Sequence, residues 1–322
     1  MTVIKPSVSQ TPETAAKQLI DRLEKQVGGV VKGKGDVIRL AVVCLLGKGH
    51  ILIEDVPGVG KTTLAQSLAR SLGLAFQRIQ FTSDLLPSDI VGVSIFRRTT
   101  ERFEYVRGPI FANVVLADEI NRASPKTQSA LLEAMSERRV SVDGKRYQLP
   151  TPFIVLATQN PLEYVGTFPL PESQLDRFMM SLQLGYPPRE KERELLLSGG
   201  IDGMLDDMEP AVSQEEIVHL QRRATQVKVA DKLADYILSL AEATRESSEY
   251  LLGVSTRGVQ NLYRAAQAMA LCEGRPFAIP DDVQTVAGAV LAHRVVLKGG
   301  SGSIEAARAA IERVVDSIPV PL

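Results

Sequence analysis

From about Gly49 to Gln183 the chain alternates between short apolar runs and longer mixed segments. The runs HILIED, FQRIQF, NVVLADE, FIVLATQN and MMSLQL are rich in Val, Ile and Leu. Continuous apolar runs of this length read as strands buried on both faces of a parallel sheet, and parallel strands need crossover segments between them. An α/β domain is therefore expected. Two hairpins interrupt the alternation. Val140 and Val142 lead into Asp143-Gly144 and on to Tyr147 and Leu149, a strong short-range hairpin pattern. A second runs from Val91 through Thr99-Thr100 to Tyr105, and its tip, FRRTTERFEYVR, carries four arginines and two glutamates.

The first dozen residues read as a flexible lead-in to a helix from about Pro12 to Val27. After Tyr186-Pro187-Pro188 the strand patterns stop and helical periodicity takes over. Ser213 with Glu216 makes a capping box, Ala230 to Ser247 repeats apolar residues at helical spacing, Ser255 and Pro280 each open a helix, and a last helix covers about Ile304 to Val315. Residues 1–187 are thus expected to form the α/β domain with its hairpins, and residues 188–322 an all-helical one. No internal repeat or low-complexity tract is present.

Composition narrows the picture. With 44% hydrophobic and 23% charged residues in 322, the chain is ordinary globular material, which excludes disorder, collagen and a disulfide-stapled scaffold. Lys plus Arg number 37 against 38 Asp plus Glu, a formal charge of −1, without the basic excess of a protein whose whole surface grips nucleic acid. Cys44 and Cys272, far apart in apolar helical contexts, read as reduced buried thiols. His50, His219 and His293 show no ligand spacing, so no transition-metal site is expected. The N-terminus lacks the basic start and apolar core of a signal peptide, and the run from Leu40 to Gly47 is too short to span a membrane. A soluble, cytoplasmic protein with no membrane insertion is expected.

The candidate chemistry begins where ILIE runs into DVPGVGKTT and then the helical LAQSLARSLG. Strand, glycine-rich loop and helix are the context a phosphate-binding loop requires. Gly58 and Gly60 let the backbone N–H groups of Pro57–Thr63, proline excepted, converge on phosphate oxygens at a helix N-terminus. Lys61 would reach the β- and γ-phosphates, and the Thr62 hydroxyl would ligate Mg²⁺. Pro57, Val59 and Thr63 complete the loop. One departure is visible: the first glycine of GxxxxGK[ST] falls at Asp55.

NVVLADE supplies the companion acids. A strand ending in Asp118-Glu119 puts both carboxylates at the carboxyl edge of the sheet, where α/β folds bind ligands. Asp118 would hold Mg²⁺ through water, and Glu119 would orient and deprotonate the water attacking the γ-phosphate. An ordinary acid pair capping a helix is the bland alternative. FIVLATQN ends at Asn160, which would fix the attacking water if its strand lies beside the acidic one; a turn residue before Pro161 is the alternative. Arg177 closes a short helix in ESQLDRF and suits a reach into a neighbouring subunit. Arg257 sits in the first turn of a helix, where a cation opposes the dipole, so an anionic phosphate is expected to recruit it. For both arginines the alternative is a surface ion pair.

Taken together, PGVGKTT, VVLADEINRASPKTQSALLEAM, ATQNP, PLPESQLDRF and GVSTRG resemble the MoxR family of AAA+ ATPases, over about Val31 to Val296 and most specifically from Gly108 to Phe178. Departures are Asp55 and Thr256, where the family more often has proline. The resemblance implies a P-loop NTPase αβα sandwich with a C-terminal all-α lid, ATP and Mg²⁺ as cofactors, and a six-membered ring. It assigns the Walker A role to Lys61 and Thr62, the Walker B role to Asp118 and Glu119, sensor 1 to Asn160, the arginine finger to Arg177 and sensor 2 to Arg257. Val31 and Gly33 correspond to the adenine-side segment. Family members act as chaperone-like remodellers of partner proteins, often with proteins carrying a von Willebrand factor A domain. Two alternatives stay open: a nucleic-acid motor, disfavoured by seven Tyr, nine Phe and no Trp for base stacking, and a regulatory nucleotide-binding module or small-molecule kinase.

Overall fold

The structure, a computed structural model, describes residues 12–161, 166–197, 202–299 and 303–321; the expected lead-in over the first residues lies outside them. Its strands are β1 (Ile51–Glu54), β2 (Phe76–Gln80), β3 (Gly92–Arg97), β4 (Arg102–Arg107), β5 (Val114–Asp118), β6 (Arg139–Val142), β7 (Lys145–Gln148), β8 (Ile154–Gln159), β9 (Met180–Leu182), β10 (Tyr250–Leu252) and β11 (Val296–Leu297). The helices of the first half are α1 (Pro12–Val30), α2 (Gly35–Leu46), α3 (Lys61–Ser71), α4 (Pro87–Val91), α5 (Pro125–Glu137) and α6 (Glu172–Leu175). Those of the second half are α7 (Arg189–Leu197), α8 (Asp202–Asp206), α9 (Gln214–Ala224), α10 (Asp231–Glu246), α11 (Thr256–Cys272), α12 (Pro280–Leu291) and α13 (Ile304–Ser317).

All five predicted apolar runs pair in one parallel sheet of order β2-β5-β8-β1-β9. Side chains alternate across a strand, and here the alternation feeds two cores. Ile51, Ile53, Val114, Leu116, Ile154 and Leu156 point into one, which continues through α1, α2 and α3 into α9–α13. Leu52, Val115, Ala117, Val155 and Ala157 point into the other, closed by Leu131 and Met135 of α5 with Phe81 and Phe178. Burial on both faces explains why β1, β5 and β8 read as apolar runs, whereas the edge strand β2 keeps polar residues.

Both hairpins form as expected, β3 with β4 and β6 with β7. Asp143 and Gly144 both take positive φ (50° and 73°), the conformation a tight two-residue turn demands. In the second half Ser213 Oγ accepts from Glu216 N at 3.2 Å while the Glu216 carboxylate accepts from Ser213 N at 2.8 Å, closing the capping box. The helical lid carries one element that the pattern did not reveal. Tyr250–Leu252 pairs antiparallel with Val296–Leu297, so the lid is helical but not purely so. Cys44 and Cys272 are free and buried. Among the described residues no helix is long and apolar enough to cross a membrane.

His50 locks the entry to β1. Its Nδ1 accepts from Val155 N at 3.0 Å, so the proton sits on Nε2, 3.2 Å from the Met135 carbonyl. Burial, with the Arg138 charge adding to it, pushes its pKa down to about 3 from 6.5. The folded state thus holds His50 neutral while the unfolded chain takes up a proton below about pH 6.5. Stability from this residue is present above that pH and is lost as pH falls toward 3. Denaturant midpoints at pH 7.5 and 5.5 should therefore differ, with His50 alone costing about 1 kcal/mol at the lower pH. Equal stability at both would contradict its assignment.

Candidate functional site

The loop after β1 is built by its glycines. Gly58 and Gly60 take φ of 84° and 95°, and Gly60 is the N-cap of α3. A Cβ at Gly58 would meet nothing within 4 Å, so it is conformation and not space that demands glycine there. The first N–H groups of α3 have no partner within the helix, and a loop of this shape turns them toward one point. Lys61 Nζ lies back over the loop, donating to the carbonyls of Asp55 at 2.8 Å and Val56 at 3.3 Å.

Asp55, which breaks the glycine pattern, has a clear task. Its Oδ2 accepts from Leu184 N at 2.7 Å and Gly185 N at 2.6 Å, and its Oδ1 from Val56 N at 3.0 Å. The carboxylate ties the start of the loop to the chain leaving β9. Sequence reading could not supply this, because the partners lie about 130 positions away.

Parallel register sets the acids. β5 and β8 pair Leu116 with Leu156 and Ala117 with Ala157, which brings Asp118 beside Thr158. Thr158 Oγ1 donates to Asp118 Oδ1 at 2.6 Å and accepts from Glu119 N at 2.8 Å, so one buried hydroxyl positions both acidic residues. Asp118 Oδ2 is held by Arg78, from Nη2 at 2.6 Å and Nε at 3.1 Å. Glu119 takes left-handed backbone angles (φ 56°, ψ 50°), a conformation that costs a non-glycine residue about 1–2 kcal/mol. Its Oε2 accepts from Gln80 Nε2 and from Arg122 Nη1, both at 2.9 Å. Gln80, Arg78, Arg122 and Thr158 were all absent from the sequence expectation; for the first two, the polar residues at 78 and 80 on one face of FQRIQ were the available signal.

These groups open on one cavity of about 430 Å³, lined by Pro57–Thr63, Arg78, Asp118, Glu119, Asn160, Pro187 and Leu195. Asn160, nine-tenths buried, thus joins the loop and the acids as expected. Val31 and Gly33 do not line the cavity. Val31 is buried in the core, and Gly33 (φ 71°) abuts Pro188, whose Cδ would lie 2.8 Å from a Cβ. Lys34 Nζ donates to the Tyr186 carbonyl at 2.7 Å, so this turn backs the segment that carries the cavity's apolar wall.

Neither arginine enters that cavity. Arg177 Nη1 donates to the Leu132 carbonyl at 3.0 Å and to Ser136 Oγ at 2.9 Å at the end of α5, and faces a second cavity of about 440 Å³ beside the β6–β7 hairpin. Arg257, which a phosphate is expected to recruit, has its Nη1 3.5 Å from Asp176 Oδ2. A carboxylate already meets the first-turn cation. Asp176 also accepts from Ser255 Oγ at 2.8 Å and from buried Arg294 Nε at 2.9 Å, tying the lid to the residue before Arg177.

A Mg²⁺ ion fits the donor set. The Thr62 hydroxyl and the Asp118 carboxylate are hard oxygen donors, and Mg²⁺ characteristically takes one or two carboxylates together with substrate phosphates and water. Among the described residues no cluster of three or more His, Cys, Asp and Glu is arranged for a metal.

Comparison with known proteins gives concordant matches. The model of the ATPase family associated with various cellular activities (AAA) matches residues 50–180, and that of the AAA lid domain residues 242–314. Uncharacterized protein YeaC of Bacillus subtilis is 47% identical over 94% of this chain and 95% of its own. Chaperone MoxR1 of Mycobacterium tuberculosis is 40% identical over 94% of this chain and 82% of its own. The crystal structure of a candidate ATPase from Cytophaga hutchinsonii superposes with a TM-score of 0.86 at 37% identity, covering 96% of this chain and 97% of that one.

The Thr158 link is open to test. Thr158→Val keeps the shape and removes the hydroxyl, leaving Asp118 Oδ1 and Glu119 N buried without that partner. A loss of about 1–3 kcal/mol in denaturant unfolding is expected; a change below about 0.5 kcal/mol would mean that the hydroxyl carries no such duty.

Proposed function

Because this chain belongs to the MoxR family of AAA+ ATPases, we propose that it binds and hydrolyses ATP with Mg²⁺ and uses the cycle to remodel partner proteins. The observation that carries this proposal is the convergence of the glycine loop, Asp118, Glu119 and Asn160 on one cavity. In the proposed cycle the loop N–H groups cradle the phosphates, and Lys61 leaves the Asp55 carbonyl for the β- and γ-phosphates. Thr62 and, through water, Asp118 would hold the Mg²⁺, which would supply positive charge to the phosphate oxygens. Glu119, once free of Gln80 and Arg122, accepts a proton from the attacking water that Asn160 orients.

Arg177 and Arg257 are assigned to a neighbouring subunit's nucleotide in a ring, taken as a hexamer. Neither lines its own chain's cavity, and Arg257 meets Asp176, the residue next to Arg177, which supports a site shared between subunits. An arginine supplied in trans stabilises transition-state charge. Residues 1–187 serve as the nucleotide domain and 188–322 as the lid in this account, and the cytoplasm as its compartment. The β3–β4 hairpin presents Phe96 and Phe103, 53% and 75% exposed and edge-to-face at 5.3 Å, among its four arginines. Exposed aromatics ringed by cations suit a protein client with an acidic surface, such as a von Willebrand factor A domain protein.

Three substitutions test the proposal. Lys61→Ala should abolish measurable ATP binding by calorimetry, and unchanged affinity would contradict it. Glu119→Gln should keep binding while turnover falls about 100-fold or more. Arg177→Ala should bind but not hydrolyse. Mixing the last two variants should restore turnover, since each ring then holds interfaces with both groups intact; no restoration at any ratio argues against a shared site.

A further inference from the structure

We propose that Arg78 stands in for the metal cation at Asp118 in the nucleotide-free protein and must release this carboxylate before Mg²⁺ binds there; the proposal rests on the nucleotide-binding function above.

Arg78 belongs to β2, the strand beside β5, where it pairs with Leu116. Its side chain reaches along β5 to Asp118, and both Nη2 and Nε point at the same oxygen, Oδ2. The other oxygen, Oδ1, is taken by the buried Thr158 hydroxyl. Asp118 is only 9% exposed, so few directions remain from which a hydrated cation could approach. Gln80 Oε1 accepts from Arg78 Nη2 at 2.9 Å and steadies the guanidinium over the acid. A dication seated beside the same oxygen would meet this like charge within a few ångströms, where repulsion is strong in a partly desolvated cleft.

Arg78 has somewhere to go. Its side chain is half exposed and lines the same cavity as Lys61 and Thr62. A triphosphate entering that cavity offers anionic oxygens to a planar guanidinium, which suits phosphate as well as carboxylate. The metal therefore arrives with the polyphosphate, whose charge releases Arg78 from Asp118. Without nucleotide, the cleft is kept neutral by its own arginine and admits no cation. Arg78 is in this sense a positioning residue, acting through Asp118.

The readout is the gain in affinity that Mg²⁺ confers, which cancels any general loss of attraction for phosphate. The affinity of the full chain for a non-hydrolysable ATP analogue is measured by calorimetry in saturating Mg²⁺ and in chelator, for the wild type, Arg78→Gln and Arg78→Lys. Removing a competing half-exposed ion pair should raise the Mg²⁺-dependent gain by up to about five-fold in Arg78→Gln. Arg78→Lys should stay nearer the wild type. In an Asp118→Asn background the Arg78→Gln change should leave the gain unaltered, because the shared carboxylate is gone. Thermal melts verify that each variant folds, and Arg78→Ala, for which the same rise is expected, carries the comparison if Arg78→Gln does not. Equal gains in the wild type and Arg78→Gln (or Arg78→Ala), with analogue binding intact, would overturn the proposal. Failure of the wild type itself to bind the analogue would instead overturn the nucleotide-binding function, and the proposal with it.

Discussion

Adjacent parallel pairing of β5, β8 and β1 is the constraint on which the rest of the site depends. Parallel strands end at the same edge, so three chain segments far apart in sequence deliver their last residues to one place. β1 delivers the phosphate loop, β5 the two acids, and β8 both Thr158 and Asn160. Register matters as much as order. A two-residue slip of β8 would keep every side chain on its proper face and bury nearly the same apolar surface, yet would carry the Thr158 hydroxyl away from Asp118. The hydroxyl–carboxylate contact at 2.6 Å is thus a register lock as well as a positioning device.

A second level of organisation joins the site to the lid. The first core runs from the sheet through α2 and α3 into α11 and α12 without a break. Asp176 adds a polar post, holding Ser255, Arg257 and the buried Arg294 in the residue just before Arg177. Burial lowers the Arg294 pKa to about 10 while Asp176 opposes that fall, so the cation persists at neutral pH. In the proposed cycle, a lid anchored in this way moves the Arg177 segment with it, coupling one subunit's nucleotide state to the face offered to the next.

The features legible in the sequence were those with short-range physical signatures. The inner strands β5, β8 and β1 are buried on both faces and so read as apolar runs. The phosphate loop announces itself because positive φ at positions 58 and 60 requires glycine, and Ser213–Glu216 because a capping box spans three residues. What escaped was set by distant partners. Asp55 looked like a defect until Leu184 and Gly185 were seen to donate to it. Arg257 is expected to seek an anion because its helix dipole repels it, and the carboxylate of Asp176, a partner about 80 positions away, was not visible in the sequence. The β10–β11 pair, three residues against two, is too short to leave a periodic trace.

The central claim is that this sheet edge grips a triphosphate and rearranges around it. A structure of the assembled protein with Mg²⁺ and a non-cleavable ATP analogue tests it most directly. The account predicts phosphates within hydrogen-bonding distance of the 58–63 backbone N–H groups, with Lys61 Nζ moved from the Asp55 carbonyl onto them. An analogue bound elsewhere, or Lys61 still on that carbonyl with the phosphates in place, would contradict it.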